Sequence, residues 1–231
     1  MPTLYIVAGP IGNLEDISLR ALRILKEADF ILCEDTRVTR KLVSHYNIQK
    51  PLLSYHQHSQ VPYGTWHSKG DKTQEILDLL IQGKNLALVT DAGTPGISDP
   101  GNELIAFLLE KNPSIQIVPI PGPSALSAIA SVAGIPMDKF LFLGYPPHKK
   151  GRKKFFEQVV QSEYPVILYE SPHRIIKSLL ELRDTHIVVG RELTKKFETI
   201  YRGTPAEVLE KLHKDTVKGE FVMVVGKEKN V

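Results

Sequence analysis

The residues best suited to chemistry lie in loops with few side chains. In "LALVTDAGTPGISDPG" (86–101) an apolar run ends in the carboxylate of Asp91, and glycine, proline, serine and a second carboxylate, Asp99, follow. Two other loops share this character, "AGPIGNLED" (8–16) and "PGPSALSA" (121–128). Glycine removes side chains so that a ligand can reach backbone N–H and C=O groups, and proline keeps an empty loop from collapsing. Helices opening after Pro100 and Pro123 would offer unpaired N–H groups to an anion such as a carboxylate.

Other chemistries are disfavoured. The phosphate-loop pattern GxxxxGK[ST] is absent and no GxGxxG follows the first apolar run, which argues against triphosphate and ordinary dinucleotide sites. "DAGTPG" imitates the acidic-plus-glycine signature of Rossmann methyltransferases, but that signature belongs to the first strand–helix turn, and Pro95 interrupts the glycine spacing. The one cysteine, Cys33, forms no internal disulfide, and no Cys/His spacing suggests a metal.

The segment "HKKGRKK" (148–154) concentrates Lys149, Lys150, Arg152, Lys153 and Lys154. "TRVTR" (36–40), with Arg37 and Arg40, and "TKK" (194–196), with Lys195 and Lys196, add positive charge at other strand ends. Phosphate contact calls for flexible positive charge of this kind. The wider balance agrees. Residues 1–120 carry 11 basic against 13 acidic side chains, residues 121–231 carry 18 against 13, and the chain as a whole is +3.

The elements that must position these groups alternate along the chain. Strands are expected at 3–8, 29–35, 51–55, 85–90 and 115–120, with helices at 18–28, 36–46, 74–83 and 101–111 between them. Gly83 falls where a left-handed helix cap is favoured. Such alternation predicts a largely parallel sheet with helices on both faces, whose ligands bind at the carboxyl ends of the strands. "PIPGPS" (119–124) marks a change of regime, so an N-terminal α/β domain over 1–120 and a C-terminal one over 121–231 are expected. The second has strands at 139–145, 165–170, 185–193, 197–203 and 220–226, and helices near 151–161, 172–183 and 205–214. Only "TKK" separates two of those strands, which predicts a hairpin and a mixed sheet. Ser171-Pro172 and Thr204-Pro205 with Glu207 read as helix starts, the latter a capping box. Residues 58–73 show no clear period and read as an exposed loop.

At 231 residues, 42% hydrophobic and 24% charged, the chain suits a globular protein of one large or two smaller domains. No apolar run reaches transmembrane length, and "MPTLYIVAG" lacks the basic region and cleavage site of a signal peptide. A reducing cytoplasm is the expected location.

"LYIVAGPIGNLEDISLRAL", "CEDTR", "LVTDAGTPGISDPG", "PIPGPSALSAIASVAG", "LYESPHR" and "VVGRELTKKFETIYRG" together resemble the tetrapyrrole-methylase superfamily, and more narrowly its ribosomal RNA branch. The resemblance runs in order through nearly the whole chain. It implies S-adenosylmethionine as methyl donor, without a metal. The implied acceptor is the 2′-hydroxyl of a cytidine in the decoding region of 16S rRNA in the small ribosomal subunit. It also implies a homodimer of two-domain α/β subunits with the donor in the interdomain cleft. A tetrapyrrole methyltransferase on the same scaffold would not need the basic segment. A non-catalytic S-adenosylmethionine- or RNA-binding module would not turn over the donor.

By the same resemblance Pro10, Asp91, Gly93, Thr94, Ser124 and Ala125 contact the donor, joined by Tyr169 or Glu170, Leu193 or Thr194, and the backbone near Glu220. A cleft rich in backbone groups holds the donor without opposing its cationic sulfur. A ribose hydroxyl is a weak nucleophile, so a base or an electrostatic aid would help. Glu170 and Glu192 are candidates for the base, and Arg191 and His173 for orienting the ribose. The sequence assigns no base. Two departures from the family are expected to matter: the loop 58–73 is longer than usual, and the chain stops after "VVGKEKNV", where relatives continue into a small helical region. If that region grips RNA, this version binds RNA poorly while retaining the donor site.

Overall fold

A computed structural model describes residues 1–55, 72–99, 101–183, 185–215 and 217–226. The expected loop 58–73 lies outside the described residues up to position 71. The chain forms two compact units, Met1–Ser124 and Ala125–Val231.

The first unit carries strands β1 (Thr3–Val7), β2 (Phe30–Cys33), β3 (Leu52–Ser54), β4 (Leu86–Val89) and β5 (Gln116–Ile120). Their order is β3-β2-β4-β1-β5, and every pairing is parallel. The connecting helices are α1 (Leu19–Glu27), α2 (Thr36–His45), α3 (Thr73–Ile81) and α4 (Asn102–Lys111). Both sheet faces are covered. Ile24 and Leu25 of α1 and Val43 of α2 join one core cluster with Val7, Ile31 and Val89. Leu80 of α3 and Leu104 and Leu108 of α4 join the other with Leu4, Leu32 and Leu88. The continuous apolar strands follow from this double cover.

β1 and β4 are neighbours, yet α1 and α4 leave them toward opposite faces. That is a topological switch point, where the loops beyond two adjacent strand ends open a crevice. Ser18 caps α1 by accepting from Ala21 N at 3.0 Å, and Gly83 closes α3 at φ 84°.

In the second unit α5 (Ala125–Val132) precedes β6 (Leu141–Phe142), α6 (Arg152–Gln161), β7 (Val166–Glu170), α7 (Ile175–Glu181), β8 (His186–Arg191), β9 (Thr199–Gly203), α8 (Pro205–Lys214) and β10 (Phe221–Gly226). The sheet order is β6-β7-β10-β8-β9, with β6–β7 parallel and the other pairings antiparallel. The mixed sheet and the β8–β9 hairpin match the sequence pattern, and the Thr204–Glu207 capping box forms in full.

Two details differ. β6 is far shorter than 139–145, because it is an edge strand paired on one side only and Gly144 leaves it at φ 62°. Helix α7 starts at Ile175 and is not capped at Ser171-Pro172. Ser171 instead donates its N–H to the Glu170 carboxylate at 2.8 Å and accepts from Arg174 Nε at 3.1 Å. A buried charge has taken over the local capping group.

Candidate functional site

The three glycine–proline loops of the first unit converge at its switch point. Gly9 N donates to Gly93 O at 2.8 Å, and Gly93 N donates to Pro10 O at 3.2 Å, so the loops after β1 and β4 are stitched backbone to backbone. Thr94 Oγ1 donates to Pro123 O at 3.1 Å, which ties in the third loop. The close approach leaves no room for side chains. A Cβ on Gly93 would stand 3.2 Å from Ile11 Cγ2, and one on Gly122 3.0 Å from Ala8 Cβ. Gly93, Gly96, Ser98 and Gly101 all take positive φ, and Asn102 Nδ2 pins Gly96 O at 2.8 Å. Glycine supplies three of these conformations without strain, and only Ser98 carries a side chain there.

Carboxylates gather beside these loops. Asp91 Oδ1 accepts from Asp35 N at 3.2 Å, joining the ends of β2 and β4. Asp99 is pushed up to about 6, first by burial and then by Glu34 and Asp91. Asp35 goes the other way, down to about 2, because the Arg37 side chain and backbone N–H bind its charged form. Sequence reasoning singled out Asp91 but gave Asp99 no role. The signal available was a second carboxylate eight residues on in the same rigid loop.

In the second unit the expected positions emerge at one end of the sheet. Phe221 lies opposite both Glu170 and Arg191, so the end of β7, the start of β10 and the end of β8 share one line. Just beyond it, Glu192 and Thr194 adopt φ 51° and φ 66°, which is rare for residues with side chains. A clasp holds them. Lys195 Nζ donates to Glu192 Oε1 and to Glu220 Oε2, both at 2.9 Å, and Glu220 N donates to Glu192 Oε1 at 2.9 Å. Gly219, at φ 96°, lies against the Glu192 side chain. Leu193 is buried. Thr194 Oγ1 is also buried and has no hydrogen-bond partner among the described residues. A buried hydroxyl of this kind can take its hydrogen bond from water or from a ligand.

Several expected roles change. Glu170 is no accessible base. Its side chain is fully buried, with Oε1 3.0 Å from Arg174 Nε and Oε2 accepting from Ser178 Oγ and 3.9 Å from Arg152 Nη1. Glu192 is a poor base for another reason. Burial would raise its carboxyl, but the Glu220 N–H and Lys195 outweigh that and hold it below the ordinary range. Arg191 donates from Nε to Lys218 O at 2.9 Å and is buried, whereas His173 is exposed.

Arg152 is withdrawn from the basic surface run. It is 3% exposed, donates to Glu181 Oε2 and Ser178 Oγ at 2.8 Å each, and stacks on Phe156. Lys149, Lys150, Lys153 and Lys154 stay exposed around Gly151. Lys195 is committed to its two carboxylates, and Lys196 lies 5.7 Å from the Phe197 ring centroid. Tyr169 packs edge-on against Phe142 and Tyr145. Among the described residues no cluster of His, Cys, Asp or Glu could hold a metal ion, and no helix is long and apolar enough to cross a membrane.

The sequence profile of the Tetrapyrrole (Corrin/Porphyrin) Methylases matches residues 3–209, nine-tenths of the chain. The chain belongs to that family. Among the tetrapyrrole methylases it is 42% identical over 228 residues to the ribosomal RNA small subunit methyltransferase I of Halalkalibacterium halodurans, covering 96% of this chain and 75% of that one. It is 39% identical over 233 residues to the protein of the same name from Thermotoga maritima, covering 99% and 100%. The solved structure of cobalt precorrin-4 methyltransferase CbiF superposes with a TM-score of 0.68 at 20% identity, covering 97% of this chain and 94% of that one. The methyltransferase CobJ gives 0.67 at 17%, covering 98% and 95%. At that identity the two tetrapyrrole enzymes attest the methylase fold alone.

Proposed function

We propose that this tetrapyrrole methylase transfers a methyl group from S-adenosylmethionine to small-subunit ribosomal RNA, and that the acceptor is the 2′-hydroxyl of a cytidine in the decoding region. The observation that carries the donor half is the convergence of three side-chain-poor loops at the switch point, stitched by the Gly9–Gly93 and Thr94–Pro123 bonds. The rRNA half rests on the relatives of about 40% identity named above. Cytoplasmic residence follows from that substrate.

The donor supplies an electrophilic methyl on a sulfonium, and the residues present fit it. Pro10 and Gly93, bonded to one another, form a side-chain-poor wall with Thr94, Asp91 offers an acceptor for an ammonium or a hydroxyl, and Ser124 and Ala125 open a helix whose N-terminal dipole suits a carboxylate. In the second unit Thr194 Oγ1 is buried without a hydrogen-bond partner among the described residues, and Thr194, Leu193 and the Glu220 backbone are the donor contacts proposed there. Displacement at the methyl carbon is in line, so rigid alignment supplies much of the acceleration. The exposed lysines 149, 150, 153 and 154 hold phosphate. The subunit pairs as a homodimer. Exposed apolar side chains along the β6 edge, Leu141 at 42% and Tyr145 at 55%, are consistent with a covered surface there.

Mass spectrometry of 16S rRNA nucleosides from cells with and without the gene tests the reading. Loss of one 2′-O-methylated cytidine, restored by the gene, is the expected result. An unchanged nucleoside profile would sink it.

A further inference from the structure

We infer that the solvent face of α2 is a docking groove for the phosphodiester backbone of RNA and sets the acceptor strand against the β2 and β4 loop ends. The inference rests on the proposed RNA substrate and adds where that substrate lies.

α2 has two unlike faces. Thr39 and Val43 are buried, and Leu42 and Tyr46 pack on the same core cluster. Arg37, Arg40, Lys41 and Ser44 follow the i, i+3, i+4, i+7 spacing of the opposite face, so they form one stripe about 10 Å long. Together with Thr36 they line a concavity of about 540 Å³. On the α2 side it is lined by guanidinium, ammonium and hydroxyl groups, the donor set that contacts nucleic-acid phosphates.

The charge on this face is unbalanced. Other helices answer part of their positive charge locally: Arg23 pairs with Glu27, Lys153 with Glu157 and Lys214 with Glu210, each one turn away. Helix α2 contains no acidic residue. Asp35, just before it, is occupied by Arg37 at 2.6 Å. Among the described residues no carboxylate pairs with Arg40 or Lys41, and both are exposed. Two uncompensated cations side by side repel each other, and an incoming polyanion relieves that repulsion. A neutral ligand or an apolar partner would gain nothing from it.

The position is informative as well. Thr36, at the head of the groove, directly follows Asp35, whose N–H is held by Asp91 Oδ1. Arg40 lies four residues further, about 6 Å along the helix axis. A strand with a phosphate at Arg40 and Lys41 therefore brings a neighbouring ribose to the carboxylate-lined ends of the two central loops. The lysines of 149–154 add general attraction. The α2 groove sets register.

The test is the variant Arg40→Gln/Lys41→Gln, with Arg37 retained because it caps the helix start with Asp35. Calorimetry with S-adenosylmethionine and a thermal melt establish that the variant is folded. Binding of a short single-stranded RNA is then followed by fluorescence anisotropy across a salt series, and methyl transfer is measured on small ribosomal subunits. We expect the log–log salt dependence to flatten by up to about 1.4 units, at about 0.7 for each phosphate engaged on a single strand. The KM for the subunit should rise about tenfold, with a much smaller fall in kcat. Lys41→Arg should keep most of the wild-type slope.

A folded variant with the wild-type salt slope and KM overturns the inference. So does a variant that loses binding to a polyaspartate probe while its RNA binding is untouched, since the face would then serve an acidic protein. A different result would strike the functional reading alone: RNA binding that depends on Arg40 and Lys41 in a protein that transfers no methyl group to rRNA.

Discussion

The hydroxyl of Thr94 donates to the carbonyl of Pro123 at 3.1 Å and so joins two loops that lie 29 residues apart in sequence. The bond fixes the second and third glycine–proline loops as one surface. Replacing Thr94 with Arg fills the space left by the small residues of "DAGTPG" and should abolish donor binding without unfolding the chain. Thr94→Val, which removes only the bond, should cost about 1 kcal/mol of stability and weaken the donor modestly. Calorimetry with S-adenosylmethionine separates the two. Undiminished affinity in Thr94→Arg would move the donor away from this loop.

Asp99 makes a pH prediction. Its carboxyl is raised to about 6 by burial and then by Glu34 and Asp91, against roughly 3.9 in an unfolded chain. A raised acid favours the folded state while it is protonated, so its contribution is full below about 4 and is lost as pH rises through about 6. Asp99→Asn keeps the neutral form throughout. It should match wild type at pH 4 and become the more stable of the two above pH 6. Denaturant unfolding at several pH values reads this directly, and a difference flat with pH would contradict it.

Glu170 anchors a buried polar network of the second unit. Its buried carboxylate satisfies Arg174, Arg152, Ser178 and the Ser171 N–H. Glu170→Ala would take the carboxylate partner from Arg174, while Arg152 keeps Glu181, at a cost of about 3–5 kcal/mol for breaking a buried pair from one side. Urea unfolding should show a lower midpoint. A loss of transfer with full stability would instead return Glu170 to the chemistry.

The exposed lysines 149, 150, 153 and 154 should act on RNA independently of α2. Changing all four to Gln should leave donor affinity alone and flatten the salt dependence by about one unit or less for each phosphate released. Combined with Arg40→Gln/Lys41→Gln, the two effects should add, because the two sets of side chains share no partner among the described residues. Wild-type RNA affinity at every salt concentration would make the segment an ordinary solvated turn.

Much of the architecture was readable from residues alone. Periodicity located nearly every element, because apolar runs of strand and helix length alternate cleanly and Gly83 and Thr204 punctuate them by local chemistry. The convergence of the three loops was foreshadowed by their composition. What failed to show was long-range pairing. Arg152 sits in the middle of a basic run, and only the fold reveals that it turns inward to Glu170 and Glu181. Ser171 carries a good capping sequence, yet its Oγ accepts from Arg174 Nε in place of a helix N–H. Thr194 looks like any turn residue, and its orphaned hydroxyl exists only once Glu192, Lys195 and Glu220 have closed around it. Asp99 draws its shifted acidity in part from Glu34, which is distant in sequence and local in space.

The all-parallel order β3-β2-β4-β1-β5 makes the first strand wait during synthesis. β1 leaves the ribosome first, but its two partners are β4 and β5, and Leu4 meets Leu86 only 82 residues later (from 4 to 86). At about 5–20 residues per second the wait is roughly 4–16 s. Throughout that interval "TLYIV" is an unpaired apolar strand, open to any passing edge, while the hairpin of β8 and β9 closes almost as soon as it is made.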